Sequence, residues 1–288
     1  MSKVIIIGSG PAGISAALYT VRAGFDTTII TKGQGSLQKA ESIENYYGFS
    51  EAISGAELEA RGIEGAKKLG VSFITAEVTG LTYFDNFIVE TNRGDYHADS
   101  IIIATGSSRN APKIKGISEF EGRGVSYCAI CDAFAYRGKN VTVIGNGAYA
   151  LHEIASLRDV VKSITLLTDG TKLTVKTPEN VKVIDKKISL IGGNERVSFV
   201  EFEDGEKLNC SGVFIAIGTA GSTELARKIG AVTENNKIVV NEKSATSIDG
   251  LFAAGDCVGG LMQVSKSVYE GAVAGIEAAK FLRNKKNP

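Results

Sequence analysis

Apolar positions in this chain fall into short unbroken runs. Residues 3 to 8, KVIIIG, form one such run, and residues 101 to 106, IIIATG, form another. Uninterrupted β-branched runs bounded by glycine predict strands covered on both faces, as in a parallel sheet. The first run passes into GSGPAG at 8 to 13 and then into a helical pattern from Ile14 to Ala23. A strand from Thr27 to Thr31 follows, which is the opening of a doubly wound α/β fold. Further short strands are predicted at 71 to 78 and 86 to 91.

Residues 107 to 127 turn polar and glycine-rich, which marks a domain crossing. A second strand–glycine–helix–strand unit then runs from Val141, through GNGAYA, to Thr168. Short strands are predicted at 181 to 184, 188 to 191, 197 to 202 and 213 to 217. The segment GLFAAGDCVGG at 250 to 260 precedes a final helix from about Val264 to Leu282. The two glycine units are the nearest approach to an internal repeat.

A length of 288 residues suits two domains. With 43% apolar residues, 22% charged residues and a formal net charge of zero, the composition is that of an ordinary globule. It lends no support to nucleic-acid binding, which shows as a basic excess. The amino-terminal apolar run is four residues long and reads as a buried strand, not a signal peptide. No stretch is long enough to span a bilayer, so the expected location is cytoplasmic, without a membrane partner. In a reducing cytosol, four cysteines do not form a disulfide framework, and a Cys-x-x-Cys pair points to redox or metal chemistry. A zinc site needs further ligands, yet Cys210 and Cys257 are isolated and the histidines are His97 and His152. No metal is expected.

G-x-G-x-x-G is a weak signal alone, but here it stands between a buried strand and an apolar helix, the context a dinucleotide requires. Its glycines let the turn close and let backbone N–H groups approach a pyrophosphate at the helix amino end. The acid that usually ends the second strand is absent, and Thr31 and Lys32 stand there. Further on, CAICD at 128 to 132 sets two thiols one turn apart, close enough for a disulfide in a small ring. Thiol–disulfide exchange needs one thiolate to attack and a second thiol to resolve the mixed intermediate.

Taken together, GSGPAG, ATG at 104 to 106, CAICD and GLFAAGD at 250 to 256 resemble the low-molecular-weight thioredoxin reductases. The likeness covers nearly the whole chain in the same order and is weakest from roughly 145 to 190. It implies the class II pyridine nucleotide-disulfide oxidoreductase architecture: two Rossmann-like, three-layer ββα domains, the second inserted in the first. Residues 1–108 and 220–288 would hold FAD, and residues 109–219 would carry the dithiol. Ser9, Gly10, Pro11 and Ala12 would meet the pyrophosphate, with Gly8 and Gly13 in the same cofactor site, and Thr31 and Lys32 would meet the adenosine end. Asn45 would lie near the flavin, and Asp256, after Gly255, would bond the ribityl chain. Gln263 would lie at the pyrimidine edge, with Met262 where the family commonly has Arg. Ser36, Leu37, Val78, Ala104, Thr105, Gly106 and Val264 complete the implied cofactor contacts. Cys131 would receive electrons from the flavin and Cys128 would attack the disulfide of thioredoxin. Asp132 would supply and remove thiol protons, which requires burial to raise its pKa. The resemblance also implies a homodimer.

The second glycine unit departs from that family. An NADPH site there needs H-R-R-x-x-x-R after the next strand, whereas this chain has TDGTKLT at 168 to 174. Both neighbouring arginines are gone, and Asp169 would repel a 2′-phosphate, although it could accept from the 2′-hydroxyl of NADH. Tyr149 stands where the family has Ser or Thr, and its ring could crowd a pyrophosphate. The connection DGTKLTVKTPEN leaves no room for a full helix before residue 181.

These features resemble the ferredoxin-dependent flavin thioredoxin reductases, which lack the pyridine-nucleotide site. Transfer from a ferredoxin near about −400 mV to a thioredoxin near about −270 mV is downhill by roughly 6 kcal/mol for two electrons. Ferredoxins are usually acidic, and Lys172, Lys176, Lys182, Lys186 and Lys187 offer a basic surface. An NAD(P)H-dependent reductase, an FAD-dependent dithiol oxidase and a non-enzymatic flavoprotein are the alternatives.

Overall fold

The computed structural model describes residues 2–33, 35–106, 113–218 and 221–286. Outside that description lie the side chains of Ile130, Cys131 and Lys286, together with residues 107–112 and 219–220, on which the expected domain boundaries fall. The chain folds as two compact units, Met1–Ser108 with Gly221–Pro288, and Arg109–Ala220.

The first unit holds a five-stranded parallel sheet. Its spatial order is Leu251–Ala253, Ser100–Ile103, Lys3–Ile7, Asp26–Thr31 and Ser72–Thr75. The order reverses at Lys3–Ile7, and the crevice beyond the carboxyl ends of strands at such a point is where open α/β sheets bind ligands. Helices Pro11–Arg22 and Val264–Lys286 supply apolar cover. Val4, Ile6, Ile29 and Ile102 are fully buried among Ala16, Ala17, Ala274 and Ala278. Burial of each such strand side chain contributes roughly 1.5–3 kcal/mol.

The predicted strand at 71 to 78 is two strands. Ser72–Thr75 ends the parallel sheet, whereas Val78–Tyr83 pairs antiparallel with Phe87–Thr91 in a three-stranded sheet completed by Gly94–Ala98. Helix Gly55–Lys68 was not anticipated. Gly55, Gly62 and Gly65 weaken its helical signal, while Ser54 caps it by accepting from the Glu57 N–H.

The second unit repeats the parallel plan in the order Lys182–Ile184, Ser163–Leu167, Asn140–Ile144, Gly212–Ile215 and Val125–Ser126. An antiparallel sheet of Ile188–Gly193, Val197–Phe202 and Lys207–Asn209 joins it. Helix Ala148–Leu157 follows the first glycine-terminated strand, but residues 168 to 181 contain no helix, as their composition predicts. Among the described residues, no helix is long and apolar enough to cross a membrane.

Candidate active site

The glycines of the first loop serve three different ends. Gly8 has φ 111°, and a Cβ there would stand 2.4 Å from the Ala104 carbonyl oxygen. The adjacent strands Lys3–Ile7 and Ser100–Ile103 therefore bring Gly8 and the ATG segment into contact. A Cβ on Gly13 would fall 2.0 Å from the Gly8 carbonyl oxygen, so the helix packs directly on the loop. Gly10 caps the helix, with Pro11 at its first turn, and a Cβ there would meet nothing within 4 Å. Packing does not demand glycine at Gly10. The free space suits a pyrophosphate approaching the helix amino end, where N–H groups and the dipole favour an anion.

Two buried carboxylates border this loop. Ser9 Oγ lies 2.9 Å from Thr31 Oγ1 and donates to Glu59 Oε1 at 3.4 Å. Lys32 Nζ pairs with Glu77 Oε2 at 3.1 Å. Glu59 Oε2 and Glu77 Oε1 are buried without a hydrogen-bond partner. An unsatisfied buried acceptor costs about 1–3 kcal/mol, more when charged. Ribose hydroxyls of a dinucleotide would satisfy such acceptors, so these carboxylates fit the role of the missing strand-end acid. A cavity of about 190 Å³ beside Glu59 is lined by Ser9, Gly10, Pro11, Leu37, Glu59 and Val264. The residues present fit FAD.

Of the remaining cofactor candidates, Gly255, Asp256, Met262, Gln263 and Val264 lie on the late segment of the same unit, and the others lie between residues 36 and 106. Gly255 (φ 87°) donates its N–H to Glu270 Oε2 at 2.8 Å. Lys266 Nζ pairs with that same oxygen at 3.0 Å and also donates to the carbonyls of Gly255 and Gly259. Lys237 Nζ donates to the Asp256 carbonyl at 2.8 Å. The backbone of the Gly-Asp turn is thus held on three sides, and Asp256 itself is half-buried. Asn45 Nδ2 donates to Gln263 Oε1 at 3.1 Å. Met262 is 58% exposed. Val78 and Ala104 are buried, Thr105 is exposed and Gly106 has φ 73°. Ser36 and Leu37 open the 3-10 turn Ser36–Lys39.

Sequence reasoning missed Glu59, Glu77, Lys237, Lys266 and Glu270. Of these, only the Lys266–Glu270 pair carried a signal, in its i,i+4 spacing.

In the second unit, the Cys-x-x-Cys segment forms the four-residue helix Ala129–Asp132. Cys128, just before it, is buried and disulfide-bonded, whereas Cys210 and Cys257 are free and buried. Cys131 belongs to the expected redox pair, but its side chain lies outside the described residues. Asp132 corrects the expectation of burial: it is exposed, at the open end of the short helix. Its Oδ2 accepts from Ser126 Oγ at 2.6 Å, and Ser126 Oγ accepts the Cys128 N–H at 3.1 Å. A hydroxyl thus links the carboxylate to the cysteine backbone. Burial pushes the Cys210 thiol up to about 11 and the Cys257 thiol up to about 12. Both are structural thiols, and Cys257 points at the carbonyls of Ala254 and Ile103.

The second glycine loop is closed by its own chain. Asn146 Nδ2 donates to Thr171 Oγ1 at 3.1 Å and to the Lys172 carbonyl at 3.2 Å. The Thr174 N–H and hydroxyl both donate to the Asn146 carbonyl, at 2.9 and 2.8 Å. Asp169, at φ 51°, accepts from the Ile188 N–H at 2.8 Å and pairs with Lys187 Nζ at 3.4 Å. Tyr149 does not face a ligand: it is 2% exposed and donates to the Tyr127 carbonyl at 3.1 Å. Of the lysines expected to form a basic surface, Lys186 pairs with Asp204 and Glu206, and Lys187 with Asp169.

An FAD-type loop in one unit and a cysteine-bearing second unit define an FAD-binding disulfide oxidoreductase. A family model described as pyridine nucleotide-disulphide oxidoreductase matches residues 2–271. A thioredoxin reductase of Aquifex aeolicus is 35% identical, over 98% of this chain and 94% of its own length. The atypical thioredoxin reductase TRi of Desulfovibrio vulgaris Hildenborough superposes with a TM-score of 0.94 at 36% identity over the whole of both chains. A ferredoxin-flavin thioredoxin reductase of Clostridium acetobutylicum gives 0.73 at 30% identity, over 99% of this chain and 100% of that one. The chain belongs to the pyridine nucleotide-disulphide oxidoreductase family, on its FAD-binding, low-molecular-weight thioredoxin reductase branch.

Proposed function

We propose that this protein reduces thioredoxin through FAD and the Cys128/Cys131 dithiol, with electrons from reduced ferredoxin instead of NADPH. The observation that carries the donor assignment is the closed second glycine loop. A dinucleotide would need the N–H groups at the amino end of helix Ala148–Leu157, and Thr171, Lys172 and Thr174 are hydrogen-bonded across the preceding Asn146. Asp169 is committed to Ile188 and Lys187. Neither a 2′-phosphate nor a 2′-hydroxyl therefore finds the partners it requires. The likeness to the Clostridium acetobutylicum ferredoxin-flavin enzyme supports the same donor.

FAD, when bound, supplies chemistry able to join one-electron donors to a two-electron disulfide reduction. Gly8 to Gly13, Glu59, Glu77 and Asp256 hold it, and Asn45 and Gln263 form one wall of its site. The reduced Cys128 attacks the disulfide of thioredoxin, Cys131 resolves the mixed disulfide, and thioredoxin leaves as a dithiol. Asp132, hydrogen-bonded to Ser126, relays to thioredoxin the two protons that the Cys128 and Cys131 thiols give up. A cytoplasmic homodimer completes this reading.

The experiment is turnover of thioredoxin with three donors in parallel. Reduction with ferredoxin, and none with NADPH or NADH, is expected. Turnover with either nicotinamide would sink the donor assignment.

A further inference from the structure

Helix Ala148–Leu157 would present its amino end to a ligand in a nucleotide-binding unit. Here its side reaches the cysteine segment. Tyr149 and Glu153 are four residues apart and so share one face of the helix. Tyr149 donates its hydroxyl to the Tyr127 carbonyl at 3.1 Å. Glu153, 1% exposed, accepts the Ala129 N–H on Oε2 at 2.6 Å. The two side chains therefore hold the residues immediately before and after Cys128. Burying a phenol hydroxyl and a carboxylate beside Ala150, Ile154 and Leu157 is costly unless each is hydrogen-bonded. These contacts meet that cost on either side of the disulfide-bonded Cys128.

We propose that Tyr149 and Glu153 are positioning residues for the dithiol, holding the backbone around Cys128 fixed so that its disulfide resists reduction. The inference rests on the reading of Cys128 as redox-active. The relevant equilibrium is exchange with glutathione. The protein disulfide and two glutathione thiols become the protein dithiol and one glutathione disulfide. One S–S bond breaks, one forms, and two protons pass from glutathione to the protein. A fixed backbone keeps the Cys128 thiol near its partner and favours the closed disulfide, because less conformational freedom is lost on closure.

The test equilibrates holoenzyme with glutathione buffers of stepped ratio, quenches with acid, alkylates free thiols and counts them by mass spectrometry. Losing one such hydrogen bond corresponds to about a fivefold change in an equilibrium constant. Tyr149→Phe and Glu153→Ala are each expected to shift the ratio of dithiol to disulfide about fivefold toward dithiol. Glu153→Gln, whose amide oxygen still accepts the Ala129 N–H, is expected to stay within about twofold of wild type. Unchanged ratios in Tyr149→Phe and Glu153→Ala would overturn the proposal, as would a Glu153→Gln shift as large as that of Glu153→Ala. Tyr149→Phe removes one oxygen and keeps the ring, so it decides the matter if Glu153→Ala does not fold. A wild-type Cys128 that never exchanges with glutathione would refute the redox reading itself, a result distinct from exchange that the variants leave unmoved.

Discussion

Asn45 donates from Nδ2 to Gln263 Oε1 at 3.1 Å, joining the loop before helix Gly55–Lys68 to the segment before the final helix. The two residues are 218 positions apart, and the family resemblance implied a place beside the flavin for each. A single exposed hydrogen bond of this kind is worth about 1 kcal/mol. Asn45→Ala and Gln263→Ala should each weaken FAD binding by about fivefold. The double variant should lose less than the product of the two, because both changes remove the same bond. Quenching of flavin fluorescence on titrating the apoprotein measures all three affinities.

Gly13 and Gly10 of the first glycine loop should respond differently to an added methyl group. Gly13→Ala places a Cβ 2.0 Å from a backbone oxygen and should lower stability by about 2–3 kcal/mol, the scale of overpacking. Gly10→Ala meets no protein atom and should leave the thermal midpoint of the apoprotein unchanged. It should nevertheless weaken FAD binding, since the space it fills is where the pyrophosphate approaches. Thermal scans with and without FAD separate the two cases.

Asp132→Asn keeps the side-chain shape and its hydrogen bond with Ser126 but cannot deliver a proton. General acid–base groups contribute about 10²–10⁴-fold to rate, so thioredoxin turnover should fall by at least about 100-fold. Ser126→Ala should give a smaller loss, because Asp132 remains. Steady-state rates with saturating donor check the order of the two effects, and equal losses would show that Ser126 itself transfers the proton.

Cys210 and Cys257 predict a specific alkaline instability. Their folded-state pKa values, about 11 and about 12, lie above the ordinary 9.0, and burial is the largest cause. The folded protein thus holds these protons more tightly than the unfolded chain does. The associated stability is fully present below pH 9 and is lost as pH rises toward 12. Replacing both with Ala should flatten the fall of urea-unfolding free energy between pH 9 and 11, relative to wild type.

Much of the fold was legible because buried parallel strands advertise themselves as unbroken apolar runs. Lys3–Ile7 and Val197–Phe202 lie within stretches read as strand, Ser100–Ile103 overlaps the run read at 101 to 106, and Ser163–Leu167 falls at the closing strand of the unit read from Val141 to Thr168. The absence of a helix after Thr168 was legible for a similar reason, since TVKT and a proline suit no helix. Helix Gly55–Lys68 was hidden by its three glycines, although its Ser54–Glu57 cap was in plain view.

Side-chain direction was the harder property. Tyr149 reads from sequence as an obstacle to a pyrophosphate, but it turns inward to the Tyr127 carbonyl. Asp132 was expected to be buried, yet the short helix leaves it exposed beside Ser126. Glu59 and Glu77 carry no sequence signal of their own, because their meaning comes from partners brought near by the sheet order.

The most direct test of the donor assignment is anaerobic reduction of the yellow holoenzyme, followed at the visible flavin band. Reduced ferredoxin should bleach the band and then reduce added thioredoxin, while NADPH and NADH should leave it unchanged. Rapid bleaching by either nicotinamide would contradict the account, since it would require the loop closed by Asn146, Thr171 and Thr174 to open for a ligand.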